Sequence, residues 1–388
     1  MMPGRRCERS FVNRRYEQRH RLQPIHRFSF CNPANQNTTI LPSIGKAYLP
    51  ASEKEDIMHS GLSLSSRRGV LTGLAAGSAT LAMPGMAKAS RTQTPLKDKA
   101  MTAVRYRTQR VGEVDVFYRE VGPVDAPVLL LLHGFPTSSH MFRDLLPELA
   151  NSYRVIAPDL PGFGQTKAPP RGHFDYTFDA LAEVIGGFVE ALGLNRYALY
   201  IFDYGAPVGL RLAMRHPERV SAIVSQNGNA YVEGFSDQWG PWEAYWREPS
   251  AKNRDACRPS LAPDTIKNWQ YGTGADRSLL SPDGYELDIA YMARPGAEDI
   301  QLDLILDYRS NVGLYPAFQA YFREHRPPLL AVWGRHDPAF VPAGAMAYRR
   351  DLPDAEVHLL DAGHFALETH HAEIATLMRD FLGRRMSA

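Results

Sequence analysis

Three polar residues sit where chemistry is easiest to build. Asp203 ends the apolar run of "YIFDYGAPVG", Asp337 follows a second run in "VWGRHDPAF", and His364 follows a third in "LLDAGHFALE". Each closes a segment that reads as a buried strand, and in open α/β sheets ligands bind beyond the carboxyl ends of the strands. An aspartate at a strand-to-helix junction has two uses. It caps the helix by accepting from the first free N–H groups, or it presents its carboxylate as a nucleophile. A carboxylate is poor toward carbonyls but adequate toward a polarised saturated carbon. No serine stands in its place, and no G-x-S-x-G occurs elsewhere in the folded part.

The elements that must position these residues become regular from about Ala103. "VRYRTQRVGEVDVFYREVG" reads as a hairpin turning near Gly112. "PVLLLLHGFP" and "YRVIAPDLPGFG" are continuous apolar runs ending in turn residues, as strands buried on both faces do. Ser138 and Ser139 can cap a helix from about Met141 to Ala150, and Thr177 to Leu192 has helical spacing closed by Gly193. A strand over Tyr197 to Phe202, a helix from about Pro207 to Arg215 and the strand "VSAIVSQNG" follow. Later come the strand "LLAVWG", a helix near Ala343 to Arg350, the strand "AEVHLL" and a last helix from about His371 to Leu382. Strands alternating with helices predict a mostly parallel sheet with helices on both faces. The alternation breaks over Asn229 to Arg326, a mostly helical stretch rich in Trp and Tyr. The expected organisation is therefore a core of residues 103–228 and 327–388 with a helical lid, 229–326, inserted after the sixth strand.

Composition excludes several function classes. The chain has 388 residues, 44% apolar and 22% charged, as ordinary globular proteins do. Its net charge of +2 conceals a basic N-terminal region, and residues 90–388 carry 31 Lys/Arg against 37 Asp/Glu. Nothing in that balance calls for nucleic acid as a partner. Cys7, Cys31 and Cys257 cannot form a disulfide framework. No zinc-ligand spacing and no glycine-rich phosphate loop follows a strand-like run, so neither metal nor cofactor is implied.

The segment "SSRRGVLTGLAAGSATLAMPGMAKAS" pairs Arg67 and Arg68 with an uncharged small-residue stretch and Ala87-Lys88-Ala89. It resembles a twin-arginine export signal cleaved before Ser90, although Val70 stands where Phe is common. Its glycines, Ser78 and Pro84 make it too weakly apolar for a stable membrane anchor. Residues 58–89 are thus expected to be an export signal leading to the periplasm or outside, with a cytoplasmic location if the signal is unused. A start at Met58 gives an ordinary lead-in. Residues 1–57, Arg-rich and without period, are then expected to stem from a start codon called too far upstream and to be disordered if made.

With the three strand-end residues and these elements in view, the chain from about Ala103 onward resembles an α/β-hydrolase, whose triad runs nucleophile, acid, histidine. "HGFP" at His133 to Pro136 resembles that family's oxyanion loop, and "PDLPGFGQT" the turn after the next strand. The subgroup resembled, epoxide hydrolases and haloalkane dehalogenases, uses aspartate as nucleophile. The resemblance implies that Asp203 attacks to give an alkyl ester, and that His364, oriented by Asp337, activates the water that hydrolyses it. It makes the backbone N–H groups of Phe135 and Tyr204 the oxyanion donors. His133 and Asp159 are expected to hold loop geometry, and His336 to be a solvated neighbour. One departure concerns the elbow, which in the family has a small residue two positions before the nucleophile; here it is Ile201.

The leaving group separates the chemistries. Halide departure needs N–H donors, and dehalogenases commonly place Trp after the nucleophile and Asn or Trp after the HG pair, where this chain has Tyr204 and Phe135. Epoxide opening needs acidic O–H donors, supplied in the family by two lid tyrosines. "DYRSNVGLY" resembles the later lid motif and points to Tyr308; "PWEAYWREPS" offers Tyr245, or Trp242 in its place, whose indole would suit a halide instead. The leading expectation is hydrolysis of a small to medium apolar epoxide by water. Haloalkane dehalogenation is the alternative, with ester or lactone hydrolysis and a non-catalytic ligand-binding homologue behind it. The sequence leaves the oligomeric state open.

Overall fold

Nearly continuous apolar runs make up the central strands, and they build a sheet buried on both faces. The computed structural model describes residues 103–386, so the expectations for residues 1–57 and 58–89 lie outside the described residues. The strands are β1 (Arg105–Val111), β2 (Val114–Val121), β3 (Val128–Leu132), β4 (Arg154–Pro158), β5 (Tyr197–Phe202), β6 (Val220–Gln226), β7 (Leu329–Gly334) and β8 (Glu356–Leu360). They lie in the order β1-β2-β4-β3-β5-β6-β7-β8. The β1–β2 hairpin and the β2–β4 pair are antiparallel, and the remaining pairs are parallel. Chain order reverses at β3, between β4 and β5. That reversal opens a crevice at the carboxyl ends of β3 and β5, the usual seat of a ligand in such sheets.

In β5, Tyr197, Leu199 and Ile201 join one apolar cluster, and Ala198, Tyr200 and Phe202 the other. The helices that cover the sheet are α1 (Leu145–Leu149), α2 (Phe178–Ala191), α3 (Gly205–Arg215), α8 (Pro342–Asp351) and α9 (Ala366–Met386). Helices α2, α3 and α8 contribute to the first cluster, α1 and α9 to the second. Each fully buried Leu, Ile or Phe along this interface contributes roughly 1.5–3 kcal/mol.

Three helix boundaries differ from the sequence expectation. The helix expected over Met141 to Ala150 is a short 3₁₀ turn, Ser139–Phe142, capped by the Ser138 hydroxyl, followed by the five-residue α1. Pro147 has no N–H to close a bond onto Arg143, so one continuous helix cannot run through. Helix α3 starts two residues before Pro207, because proline in a first turn loses no intrahelical bond. Helix α9 begins at Ala366 but leaves helical geometry at His370 (φ −127°, ψ 24°), so its regular part starts at the expected His371.

Between β6 and β7 lie α4 (Gly240–Arg247), α5 (Ala251–Ala256), a π-helical turn over Thr265–Tyr271, α6 (Pro282–Met292) and the 29-residue α7 (Ala297–His325). The "DYRSN" motif anchors α7 to the core. Asp307 accepts from the Phe178 N–H at the start of α2 at 2.7 Å, and Asn311 accepts from the buried Arg211 of α3 at 2.7 Å. Arg211 also reaches Asp179 of α2 at 2.5 Å. A buried guanidinium needs such partners, since an unpaired buried charge is strongly destabilising.

Candidate active site

The turn after β5 decides how Asp203 is used. Asp203 has φ 46°, the left-handed region that non-glycine residues avoid and that sharp functional turns exploit. Its carboxylate feels the N–H of Tyr204, just before α3, less than that of Phe135. Oδ1 accepts from the Phe135 N–H at 2.7 Å, reaching across the crevice to the loop after β3. The helix cap is therefore set aside. The loop can approach because residue 134 is glycine: a Cβ there would fall onto Asp203 Oδ1 and within 2.6 Å of the Tyr204 nitrogen.

Ile201 is compatible with this turn because space was made on the helix rather than the strand. Its Cγ2 lies 2.6 Å from where a Cβ of Gly209 would stand. The small residue absent from the strand is found, one turn into α3, as Gly209. Gly205 serves the same packing closer to the turn, since a Cβ there would meet the Leu132 and His133 backbone carbonyls.

His364 comes from the loop after β8 and Asp337 from the loop after β7. His364 Nδ1 lies 2.8 Å from Asp337 Oδ2, and Nε2 lies 3.9 Å from Asp203 Oδ2. The second gap is too long for a direct hydrogen bond, so Nε2 stays available to another molecule. Asp337 Oδ1 accepts from the N–H groups of Ala339 at 2.7 Å and Phe340 at 3.0 Å. All three side chains are buried. Burial pushes the Asp203 carboxyl up to about 6, against the pull of His364 and of the Phe135 and Tyr204 N–H groups. Burial also opposes a charge on His364, but Asp337's charge and hydrogen bond, helped by Asp203, outweigh it and raise its pKa.

Two residues that build this corner were not singled out from sequence. Asn227, at φ 47° just past β6, donates to Asp337 Oδ2 at 2.6 Å and accepts from the Gly334 N–H at 3.2 Å. It fixes the carboxylate that fixes the imidazole. Gln226 accepts from the buried Tyr200 hydroxyl and donates to the His364 carbonyl at 3.1 Å, holding the histidine loop. The rule that ligands gather at carboxyl ends of strands applied to "SQNGN" as well, and would have pointed to Asn227.

The neighbouring histidines stand outside the triad. His133 Nε2 accepts from the Leu160 N–H at 2.9 Å while Nδ1 faces the Gly134 carbonyl at 3.0 Å, and burial lowers its pKa. Asp159 accepts from Ser139 and Gln165, both at 2.7 Å. His336 is exposed and pairs with Asp361 at 2.8 Å.

A cavity of about 300 Å³ opens over Asp203 and His364, walled chiefly by Phe135, Trp239, Trp242 and Trp269. Among the three candidate leaving-group residues, the structure brings Trp242 to this cavity, where its indole donates to Ser260 Oγ at 3.1 Å. It does not bring Tyr245 there. That phenol accepts from Arg254 at 3.3 Å, and Arg254 is itself held by Asp299 and Asp303, both at 2.8 Å. Tyr308 is fully buried beside the cavity rather than lining it. Its ring stacks on Trp246 at 5.7 Å and lies 5.8 Å from Tyr204, and its hydroxyl meets that of Tyr315 at 3.4 Å. Burial, the Tyr315 phenol and then Asp203's charge raise the Tyr308 pKa.

Fold and site together define an enzyme class. The sequence matches the family described as alpha/beta hydrolase fold over residues 127–371, and the chain belongs to that family. It is a hydrolase. An uncharacterized hydrolase of Saccharomyces cerevisiae is 48% identical over 277 residues, 70% of this chain and 94% of the yeast protein. A haloalkane dehalogenase of Mycobacterium marinum is 41% identical over 112 residues, only 29% of this chain and 37% of that protein. The crystal structure of a haloalkane dehalogenase from Bradyrhizobium elkani has a TM-score of 0.61 at 22% identity, covering 74% of this chain and 99% of that one. At that identity the likeness is one of fold.

Proposed function

We propose that the protein hydrolyses apolar epoxides through an ester formed on Asp203. The observation that carries this reading is the division of labour between the two oxygens of one carboxylate: Oδ1 sits on the Phe135 N–H, and Oδ2 faces His364. Oδ2 is the nucleophile. It attacks an epoxide carbon, the carbon–oxygen bond of the ring breaks, and the alkoxide takes a proton from water in the cavity, since Tyr308 lies buried beside that space with its pKa raised by burial. His364, steadied by Asp337, then removes a proton from water as the water adds to the ester carbonyl. The oxyanion that forms is the former Oδ1, already facing the Phe135 and Tyr204 N–H groups. Collapse releases the diol and leaves one water oxygen in Asp203. The aromatic walls favour an apolar substrate.

Single turnover in heavy-oxygen water tests the covalent step: label must enter Asp203 while the first diol leaves unlabelled. Asp203→Asn is expected to lose roughly 10⁶-fold in kcat, as nucleophile removals do. Activity within tenfold of wild type would defeat the reading. One observation favours carbon–halogen cleavage instead: Trp242 and Trp269 line the cavity, and the Trp269 indole N–H has no hydrogen-bond partner among the described residues. Halide release from bromoalkanes at a rate exceeding that of matched epoxides would select this second reading. The twin-arginine segment supports export of the folded chain, and N-terminal sequencing of secreted protein should then begin at Ser90.

A further inference from the structure

Gln270 presents an anomaly within the cavity. It is 95% buried, lines the same space as Asp203 and His364, and its side-chain amide makes no hydrogen bond among the described residues. Gln is a side chain usually found at the surface, and this amide, satisfied by no group among the described residues, is left to bond whatever enters the cavity. The residue sits in the π-helical turn Thr265–Tyr271, a rare geometry that recurs at functional sites. That turn is pinned beside the histidine loop, because Tyr271 stacks flat on Phe365 with ring centroids 3.8 Å apart and its hydroxyl donates to Asp288 at 2.5 Å. The amide faces a largely aromatic chamber, whose other uncharged polar side chains are the exposed Gln238 and the hydroxyls of Ser260 and Thr265, both bonded within the protein.

We propose that Gln270 is a specificity-determining residue that hydrogen-bonds a second polar group of the substrate, so that the true substrate class is an oxygenated epoxide. Such a molecule carries a hydroxyl, ether or carbonyl oxygen separate from the reacting ring, with an apolar body against Trp239, Trp242 and Trp269. An amide both donates and accepts, so it serves any of these groups. A wholly hydrocarbon substrate leaves it unpaired, and a site built around a buried polar group discriminates against partners that cannot satisfy it. The proposal names the substrate of the site described above and rests on that reading for its chemistry. Its recognition element can still be tested without turnover.

The test uses two chain-matched pairs on wild type, Gln270→Met and Gln270→Glu. 1,2-Epoxyhexane against 5,6-epoxy-1-hexanol reads kcat/KM. Hexane against 1-hexanol reads binding alone through quenching of the cavity tryptophans. The expected result is a wild-type preference of roughly 10- to 100-fold for the oxygenated member of each pair. It should collapse in Gln270→Met through KM on the oxygenated epoxide, with the hydrocarbon epoxide unchanged or improved, and be partly kept in Gln270→Glu. Equal treatment of both members by wild type overturns the proposal, as does an equal loss on both in Gln270→Met. Failure of both epoxides to turn over, with 1-hexanol still bound preferentially through Gln270, would instead overturn the epoxide reading and leave the recognition role standing.

Discussion

The corner around Asp203 and the inserted segment above it solve opposite problems. At the corner, polar groups are fixed by backbone. Asp203 is held by a loop N–H, Asp337 by two more, and Asn227 ties Asp337 to the strand beside it. In the inserted segment, side chains hold one another: Trp239, Trp246 and Tyr308 pack ring on ring, and Arg254 occupies the Tyr245 phenol. A backbone donor cannot rotate away, so the corner fixes the reacting atoms tightly. A wall of rings fixes volume and polarity but leaves individual substitutions tolerable. Under the proposed function, reaction type falls to the corner and substrate choice to the segment.

Substitutions that add or remove a single group at each region should separate the two. The largest effect, short of removing Asp203 itself, is expected for Gly134→Ala, whose methyl lands on Asp203 Oδ1 and the Tyr204 nitrogen. Displacing an oxyanion donor costs roughly 10²- to 10³-fold in kcat. Steady-state rates with an unchanged far-UV spectrum check it, and a rate near wild type would show that the loop is not the donor. Next comes Asn227→Ala, which frees Asp337 Oδ2 on one side and should cost roughly 10- to 100-fold through misplacement of the imidazole.

The pH profile sharpens the same point. In the proposed mechanism Asp203 must be ionised to attack, so kcat/KM should rise through about pH 6. His364 must be neutral to activate water, and its pKa is raised, so ester hydrolysis should rise at higher pH. Asp337→Asn removes the charge that opposes burial, and the histidine limb of kcat should then move to lower pH as the plateau falls. A limb that stays in place would mean that another group steadies His364. Smaller again is Gly209→Ala, expected to lower stability by roughly 1–3 kcal/mol by crowding Ile201, readable as a drop in Tm. The smallest is Tyr245→Phe, which removes one bond from the Arg254 network. Activity should hold within about twofold and stability fall by about 1 kcal/mol or less. A large kinetic loss there would break the proposed division between corner and wall.

Much of the core was legible from the chain because its signals are local. Buried strands read as continuous apolar runs, helices as a 3.6-residue period, and the turn residues between them set boundaries to within a few positions. Asp203, Asp337 and His364 were legible for the same reason: each directly follows such a run. The elbow was harder. Ile201 looked like a misfit because the compensating glycine lies eight residues later, on the next element, and only packing shows the two in contact.

By itself, then, the sequence determined the parallel sheet, the order of its elements and which three polar groups end its strands, since period and turn chemistry act between residues close along the chain. The tertiary structure alone decided that Asp203 meets a loop 68 residues earlier instead of capping its helix. It also decided that Tyr245 turns to Arg254, and that Trp242, Trp269 and Gln270 face the cavity. Those choices depend on which face each inserted helix offers the core. That face is set by distant anchors such as Arg211 with Asn311, a pairing no local pattern encodes.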